Sequence, residues 1–264
     1  KDKQFMPSVA SSSDILKYKI GDVTSKEDLF PERFNLEYFR QNADKIADFC
    51  RSNGIKLRGH CLIWHSQIGQ WMYQDEKGNP VSKEKLFANM KHHITAIMER
   101  YKDVVYAWDV VNEAISDGGW QGSRPGMGQQ SGPYRNSPLY QIAGDEFIKK
   151  AFIYAREVDP DVLLFYNDYN AADPGKRDRI YNMVKAMKEE GVPIDGIGMQ
   201  GHYNIYGPSM EDVDAALTKY STIVKHIHIT ELDIRANEEM GGQLNFSREA
   251  GNISPVVKTL QEDQ

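Results

Sequence analysis

Two periods alternate along the middle of the chain. Segments 55–64, 104–113, 163–167, 196–202 and 226–234 are dense in β-branched and aromatic residues and read as strands. Segments 83–101, 145–158, 175–190 and 210–220 between them read as helices with one apolar side. An earlier helix is capped by Asn35 and runs to about Arg51, with Phe39, Ile46, Ala47 and Cys50 on one side and Asn53-Gly54 ending it. Strand and helix taking turns in this way imply βα units and a parallel sheet. Residues 11–13 and 21–22 read as loop, 16–20 as a short strand and 255–260 as the start of a last helix. No element is assigned between Ala114 and Tyr140, where the Gly-rich stretch 117–133 reads as one long loop, functional or mobile.

Two strands end in acid. In 226–234, a period of two places Ile227, Ile229, Glu231 and Asp233 on one face and His226 and His228 on the other. Segment 104–113 closes on Asn112-Glu113. A carboxylate at the C-terminal end of an apolar strand is poorly explained by packing, because Glu and Asp are rarely buried unless paired. In a parallel barrel those ends are where catalytic groups collect. Arg58, His60, Leu62 and Trp64 are expected on one face of the first strand, followed by His65, Ser66 and Gln67. The third strand offers Asn167, Asp168, Tyr169 and Asn170, and the fourth Gln200, His202 and Tyr203.

Two carboxyls among amides, imidazoles and aromatic plates suit glycosidic bond cleavage, one as acid and the other as nucleophile or base. Glu113, His202, Glu231 and Asp233 are also possible ligands of a divalent metal, although no metal motif is recognisable and no metal or cofactor is expected. Single residues have plainer readings. His60 alone would be a hydrogen-bonded core imidazole, Trp64, Trp108 and Trp120 could be core or lid, and His92-His93 falls on a helix rich in Lys and Glu and reads as surface.

Composition narrows the field. A net charge of −6 with no Lys/Arg run argues against a nucleic-acid partner. No apolar run approaches the ~18 residues of a membrane span. No leader segment opens the chain, as in a mature protein. Cys50 and Cys61 lack zinc spacing and read as two buried thiols, not a disulfide.

Five motifs together resemble glycoside hydrolase family 10, the retaining endo-β-1,4-xylanases. They are 58–67 (RGHCLIWHSQ), 108–113 (WDVVNE), 167–170 (NDYN), 200–202 (QGH) and 229–233 (ITELD), in the family's order. The resemblance implies an α/β fold, the (β/α)8 TIM barrel, with strands 3 to 7 recognisable. It implies that Glu113 is the general acid/base and Glu231 the nucleophile. Asn112 would bind the sugar 2-hydroxyl. His202 would hydrogen-bond Glu231, and Asp233 would hold His202. His60, Trp64 and Gln67 would line the non-reducing side, Tyr169 would stack on the leaving-group side, and Gln200 would touch the reacting sugar. The implied partners are xylan and xylo-oligosaccharides, with a carbohydrate-binding module open in the parent chain. The implied location is extracellular, periplasmic or cell-surface.

The family's second-strand and eighth-strand motifs are not found, and the loop 118–133 looks expanded. Residues 1–31 are read as an irregular segment, open to being the re-entry after an inserted module, and 32–264 as the central and C-terminal part of the catalytic domain. Five strands alone would leave two sheet edges open, so further strands are expected from residues outside the sequence or from 1–31. A catalytically incomplete xylan-binding fragment and a related β-1,4-glycanase stay open as alternatives.

Overall fold

The structure, a computed structural model, describes residues 43–118 and 132–235. The expectations for Asn35, Trp120, 16–20, 119–131 and 255–260 lie outside the described residues.

The described chain begins with α1 (Ala43–Ser52), β1 (Leu57–Trp64), α2 (Lys83–Tyr101) and β2 (Val105–Asn112). It continues through α3 (Pro138–Ala143), α4 (Glu146–Val158), β3 (Leu163–Asp168), α5 (Pro174–Glu189), β4 (Gly196–Met199) and β5 (His202–Asn204). It closes with α6 (Met210–Ser221), β6 (His226–Ile229) and β7 (Asp233–Arg235). Helix starts are chemically marked. Ser82, Ser137, Asp173 and Ser209 each accept the amide three residues on, satisfying a donor the helix leaves open. α3 and α5 carry Pro at their first turn, where a missing N–H does no harm.

Strands β1, β2, β3, β4 and β6 form one sheet in chain order, every pair parallel. Helices α2, α4 and α5 cover its outer side. Met90, Ile94 and Met98 of α2, Phe147 and Phe152 of α4 and Ile180 and Val184 of α5 join Leu164, Tyr166 and Ile197 of the strands in one buried cluster. Phe152 is fully enclosed, so truncating it to Ala would destabilise the chain by about 3–5 kcal/mol.

The inner face of the sheet is polar and aromatic. Arg58 grips Asp109 through Nη2 and Nε (2.5 and 3.3 Å), reaches His228 Nδ1 through Nη1 (2.9 Å) and lies 4.3 Å over the Phe165 ring. Phe165 in turn sits 4.5 Å from His228, centroid to centroid. This pairing keeps buried charge tolerable. Removing Asp109 would leave Arg58 without its carboxylate, at a cost of about 3–5 kcal/mol, whereas Asp109 without Arg58 would keep His60.

Strict alternation fails in three places. Segment 226–234 is not one strand: β6 stops at Ile229 and the next strand, β7 beside β5, begins at Asp233. Segment 196–202 breaks in the same way between Met199 and His202, around Gly201 at φ +80. His228 and Thr230 therefore line the inner face, where Thr230 Oγ1 donates to Asn167 (2.7 Å). Ile227 packs on the outer core and Ile229 is exposed, opposite His228 as expected, but Glu231 does not share their face: its side chain turns inward to Asn167. In β1 the register slips between His60 and Ile63, and Leu62 turns outward into the core instead of following Arg58 and His60.

Two further expectations are corrected. His93 is not a surface residue: its Nε2 lies 3.0 Å from the Leu62 carbonyl, and burial lowers its pKa to about 4. The stretch between Ala114 and Tyr140 includes the start of α3 and an antiparallel bridge from Ile115 to Tyr134. Both cysteines are free, Cys50 buried and Cys61 partly exposed.

Candidate active site

The strand breaks build the site. Glu113 follows the last residue of β2 with φ +57, a left-handed turn that brings its side chain round to the same cluster as Asn112. Consecutive residues on a continuous strand would point apart. Glu231 lies in the gap between β6 and β7, where its amide donates to the Gln200 carbonyl (2.7 Å) and its side chain turns inward.

Each carboxyl has its own set of partners. Glu113 Oε2 accepts from the Trp64 indole (3.0 Å), and Oε1 accepts from Gln200 Nε2 (3.0 Å) and Asn112 Nδ2 (3.3 Å). All three donors are neutral. Glu231 Oε2 faces His202 Nε2 (3.0 Å) and Oε1 accepts from Asn167 Nδ2 (2.9 Å), with His60 Nδ1 at 3.9 Å. On its far side His202 Nδ1 meets Asp233 Oδ2 (2.5 Å).

These partners set proton affinities. His202 is raised to about 9, first by its bond to Glu231 and then by Asp233, against the opposing effect of desolvation. An imidazole between two carboxylates donates to both only when protonated. Burial alone would push Glu231 up. The His202 bond, the charge of His60 and the Asn167 bond outweigh it and hold the carboxyl below its ordinary value. Burial lowers His60, but its bond to Asp109 (3.0 Å) and the charges of Asp109 and Glu231 raise it overall. Burial lifts the Cys61 thiol well above its usual range, helped by the charges of Asp109, Glu113 and Glu231.

Asn112 and Asn167 span the two carboxyls. Asn112 Oδ1 accepts from both Asn167 Nδ2 (3.0 Å) and Gln200 Nε2 (3.1 Å). Both lone pairs are used, so the amide orientation is fixed and its Nδ2 must face Glu113. Asn167 uses its two protons on Asn112 and Glu231, and its carbonyl on Thr230. A Cβ on Gly198 would lie 2.2 Å from Asn167 Oδ1, so Gly198 is what lets this side chain stand there.

On the other side of Glu113, the Tyr169 hydroxyl accepts from Arg135 (2.8 Å) and donates to Asp117, and Lys176 Nζ sits 3.4 Å from the ring centroid. Arg135 Nε also donates to the Glu113 carbonyl (2.9 Å). Gln67, in the loop after β1, takes a left-handed conformation, φ +58. Glu113, Glu231, Trp64, Asn112, Gln200, His202, Asp233 and His60 are thus joined through direct contacts, and Tyr169 reaches them through Arg135.

Sequence reasoning named Arg58 and Asn167 among the strand groups but gave neither a role, and it missed Arg135, Lys176 and Asp109 as site-building residues. Arg135 and Lys176 had no legible signal, since a cation in a loop or in the first turn of a helix ordinarily faces water. Among the described residues, no group of three His, Cys, Asp or Glu side chains is arranged to hold a metal ion.

Residues 7–264 match the family described as Glycosyl hydrolase family 10. The endo-1,4-beta-xylanase/feruloyl esterase of Xylanibacter ruminicola is 53% identical over 268 aligned positions, covering 99% of this chain and 35% of that protein. Endo-1,4-beta-xylanase B of Paenibacillus barcinonensis is 43% identical over 86% of this chain and 65% of its own length. Among solved structures, a psychrophilic glycoside hydrolase family 10 endo-beta-1,4-xylanase shares 65% identity at a TM-score of 0.74, over 84% of this chain and 64% of that one. The Paenibacillus barcinonensis xylanase XynB bound to a conduramine derivative shares 39% identity, also at 0.74. The chain spans 35% and 65% of the lengths of the two curated relatives. With the family match over nearly its whole length and the parallel βα units expected of a (β/α)8 barrel, the chain belongs to glycosyl hydrolase family 10.

Proposed function

We propose that this chain hydrolyses internal β-1,4-xylosidic bonds of xylan and xylo-oligosaccharides with retention of anomeric configuration. The observation that carries the proposal is the unequal pairing of two carboxyls in one linked cluster. Glu231 is held ionised by a cationic partner, while the carboxyl of Glu113 is met by neutral donors only.

Glu231 attacks the anomeric carbon and the glycosidic C–O bond breaks as Glu113 delivers its proton to the leaving oxygen. The sugar is then an ester of Glu231. Glu113, now a carboxylate, takes a proton from water as that water displaces Glu231, which restores both groups. Asn112 has an amide proton to offer the 2-hydroxyl, because its oxygen is already saturated by Asn167 and Gln200. His60, Trp64 and Gln67 line the non-reducing side, and Tyr169 takes the leaving group. Lys176 occupies one face of the Tyr169 ring, so a sugar stacks on the other. Xylan is a wall polymer, so an extracellular, periplasmic or cell-surface location belongs to the same proposal.

Proton NMR of xylohexaose hydrolysis tests it. The β-anomer of the new reducing end should appear first and mutarotate afterwards. First appearance of the α-anomer would mean inversion and would overturn the mechanism.

A further inference from the structure

The backbone around Glu113 is held by a chain of side chains that starts and ends at that residue. The amides of Ala114 and Ile115 both donate to the Tyr166 hydroxyl, each at 3.0 Å. A phenol has two acceptor positions and one proton. With both positions filled, the proton must go outward, and it goes to Asp168 Oδ2 (2.5 Å). Asp168 is fully buried. Its other oxygen takes the Tyr169 amide (2.9 Å) and Lys176 Nζ (2.8 Å).

Lys176 is only 1% exposed, an unusual state for a lysine, and it also reaches Asp117 Oδ1 (2.8 Å). Asp117 accepts the Tyr169 hydroxyl proton, Tyr169 accepts from Arg135, and Arg135 returns to the Glu113 carbonyl. The circuit is Tyr166, Asp168, Lys176, Asp117, Tyr169, Arg135, with the peptide units of 113–115 closing it. Burial pushes Asp168 up to about 6, and Lys176 and Tyr166 oppose that push.

A structural anchor for the loop would need one or two of these bonds. Here six side chains form a closed ring, two buried charges are included, and the ring passes through the residue that takes the leaving group. We propose that Tyr166, Asp168 and Lys176 are positioning residues for Glu113, and that the circuit ties the leaving-group plate Tyr169 to the alignment of the acid. Any sugar that shifts Tyr169 pulls on the Glu113 backbone through Arg135. The inference rests on Glu113 being the acid/base.

The test compares two substrates. Xylohexaose has a poor leaving group and needs the proton, whereas 2,4-dinitrophenyl xylobioside needs none to form the glycosyl-enzyme. In Tyr166→Phe and Asp168→Asn, kcat/KM on xylohexaose should fall roughly 10- to 100-fold, the usual result of misplacing a catalytic group. On the aryl glycoside, kcat/KM should stay within about twofold, because general acid help is not required there. Its kcat should fall, since Glu113 is also the base for the second step. Equal losses on both substrates, or none on either, would overturn the inference. Should the buried variants fail to fold, Arg135→Gln at the partly exposed end of the ring decides alone, with the same split expected. Glu113→Ala runs beside them. If it shows no split, the acid/base reading fails and the inference falls with it. If it shows the split and the circuit variants do not, only the inference falls.

Discussion

Glu113 and Glu231 occupy like positions, each just past the end of a parallel strand, yet they meet different chemistry. The carboxyl of Glu113 accepts from an indole and two amides, all uncharged. The carboxyl of Glu231 faces a raised imidazole and an amide, with a second imidazole close by. A cation beside a carboxyl favours its anion more than neutral donors do, because charge attraction adds to the hydrogen bond. Under the mechanism proposed above, the residue type would not assign the role. The partners would, and those partners arrive because neighbouring strands end in different side chains.

Substitutions at the two acids probe this contrast with the largest expected effects. Glu231→Ala should abolish turnover on every substrate, activated or not, because no covalent bond to the sugar can form. Glu113→Ala should lose roughly 10²- to 10⁴-fold on xylan, the usual worth of general acid–base help. It should still form the glycosyl-enzyme from a dinitrophenyl glycoside, and azide should release it. Steady-state rates with and without azide would read both, and identical behaviour of the two variants would erase the distinction drawn above.

A smaller effect is expected at His202. His202→Asn replaces the charged donor by a neutral one and makes the surroundings of Glu231 resemble those of Glu113. A charge-assisted hydrogen bond contributes about 1.5–3 kcal/mol, so kcat/KM should fall roughly 10- to 100-fold. The acidic limb of its pH profile should move upward as Glu231 becomes harder to ionise. The wild type should also show an alkaline signature. Below pH 6.5 the imidazole is charged in folded and unfolded chains alike, and the pairing stabilises fully. As pH climbs towards about 9, the folded imidazole loses its proton and that contribution goes. Thermal unfolding midpoints from pH 6 to 10 should fall across this window in the wild type and be flatter in His202→Asn.

How much of this was visible in the sequence follows from where backbone regularity holds. Helix α2 lies at 83–101 as its pattern predicts, because an apolar stripe and the Ser82 cap act locally. The five strands of the main sheet were legible for the same reason. Alternation failed at the functional ends. Glu231 was expected on the face of Ile227 and Ile229, which was wrong because β6 stops before it, and a period of two cannot be carried through a break. Leu62 was misplaced by the slip in β1, and His93 by a helix whose overall charge hid one inward position. Asn112 and Glu113 share a cluster through one left-handed residue, which composition does not reveal. The buried Lys176 was invisible in principle, because its partners Asp168 and Asp117 come from 8 and 59 residues away in the chain. Glu113, Glu231, His202 and Asp233 were legible as strand-end groups, the family resemblance gave each an expected role, and the structure supplies the contacts around them.

The most direct test of the claim that partners assign the roles is to trap the intermediate. The chain would be incubated with a 2-deoxy-2-fluoro xylobioside carrying a dinitrophenyl leaving group, digested, and its peptides analysed by mass spectrometry. The fluorine slows both steps and the good leaving group restores the first, so the covalent species accumulates. The label is expected on the peptide containing Glu231, with the peptide containing Glu113 unmodified. Label on Glu113, or turnover without any covalent label, would contradict the assignment.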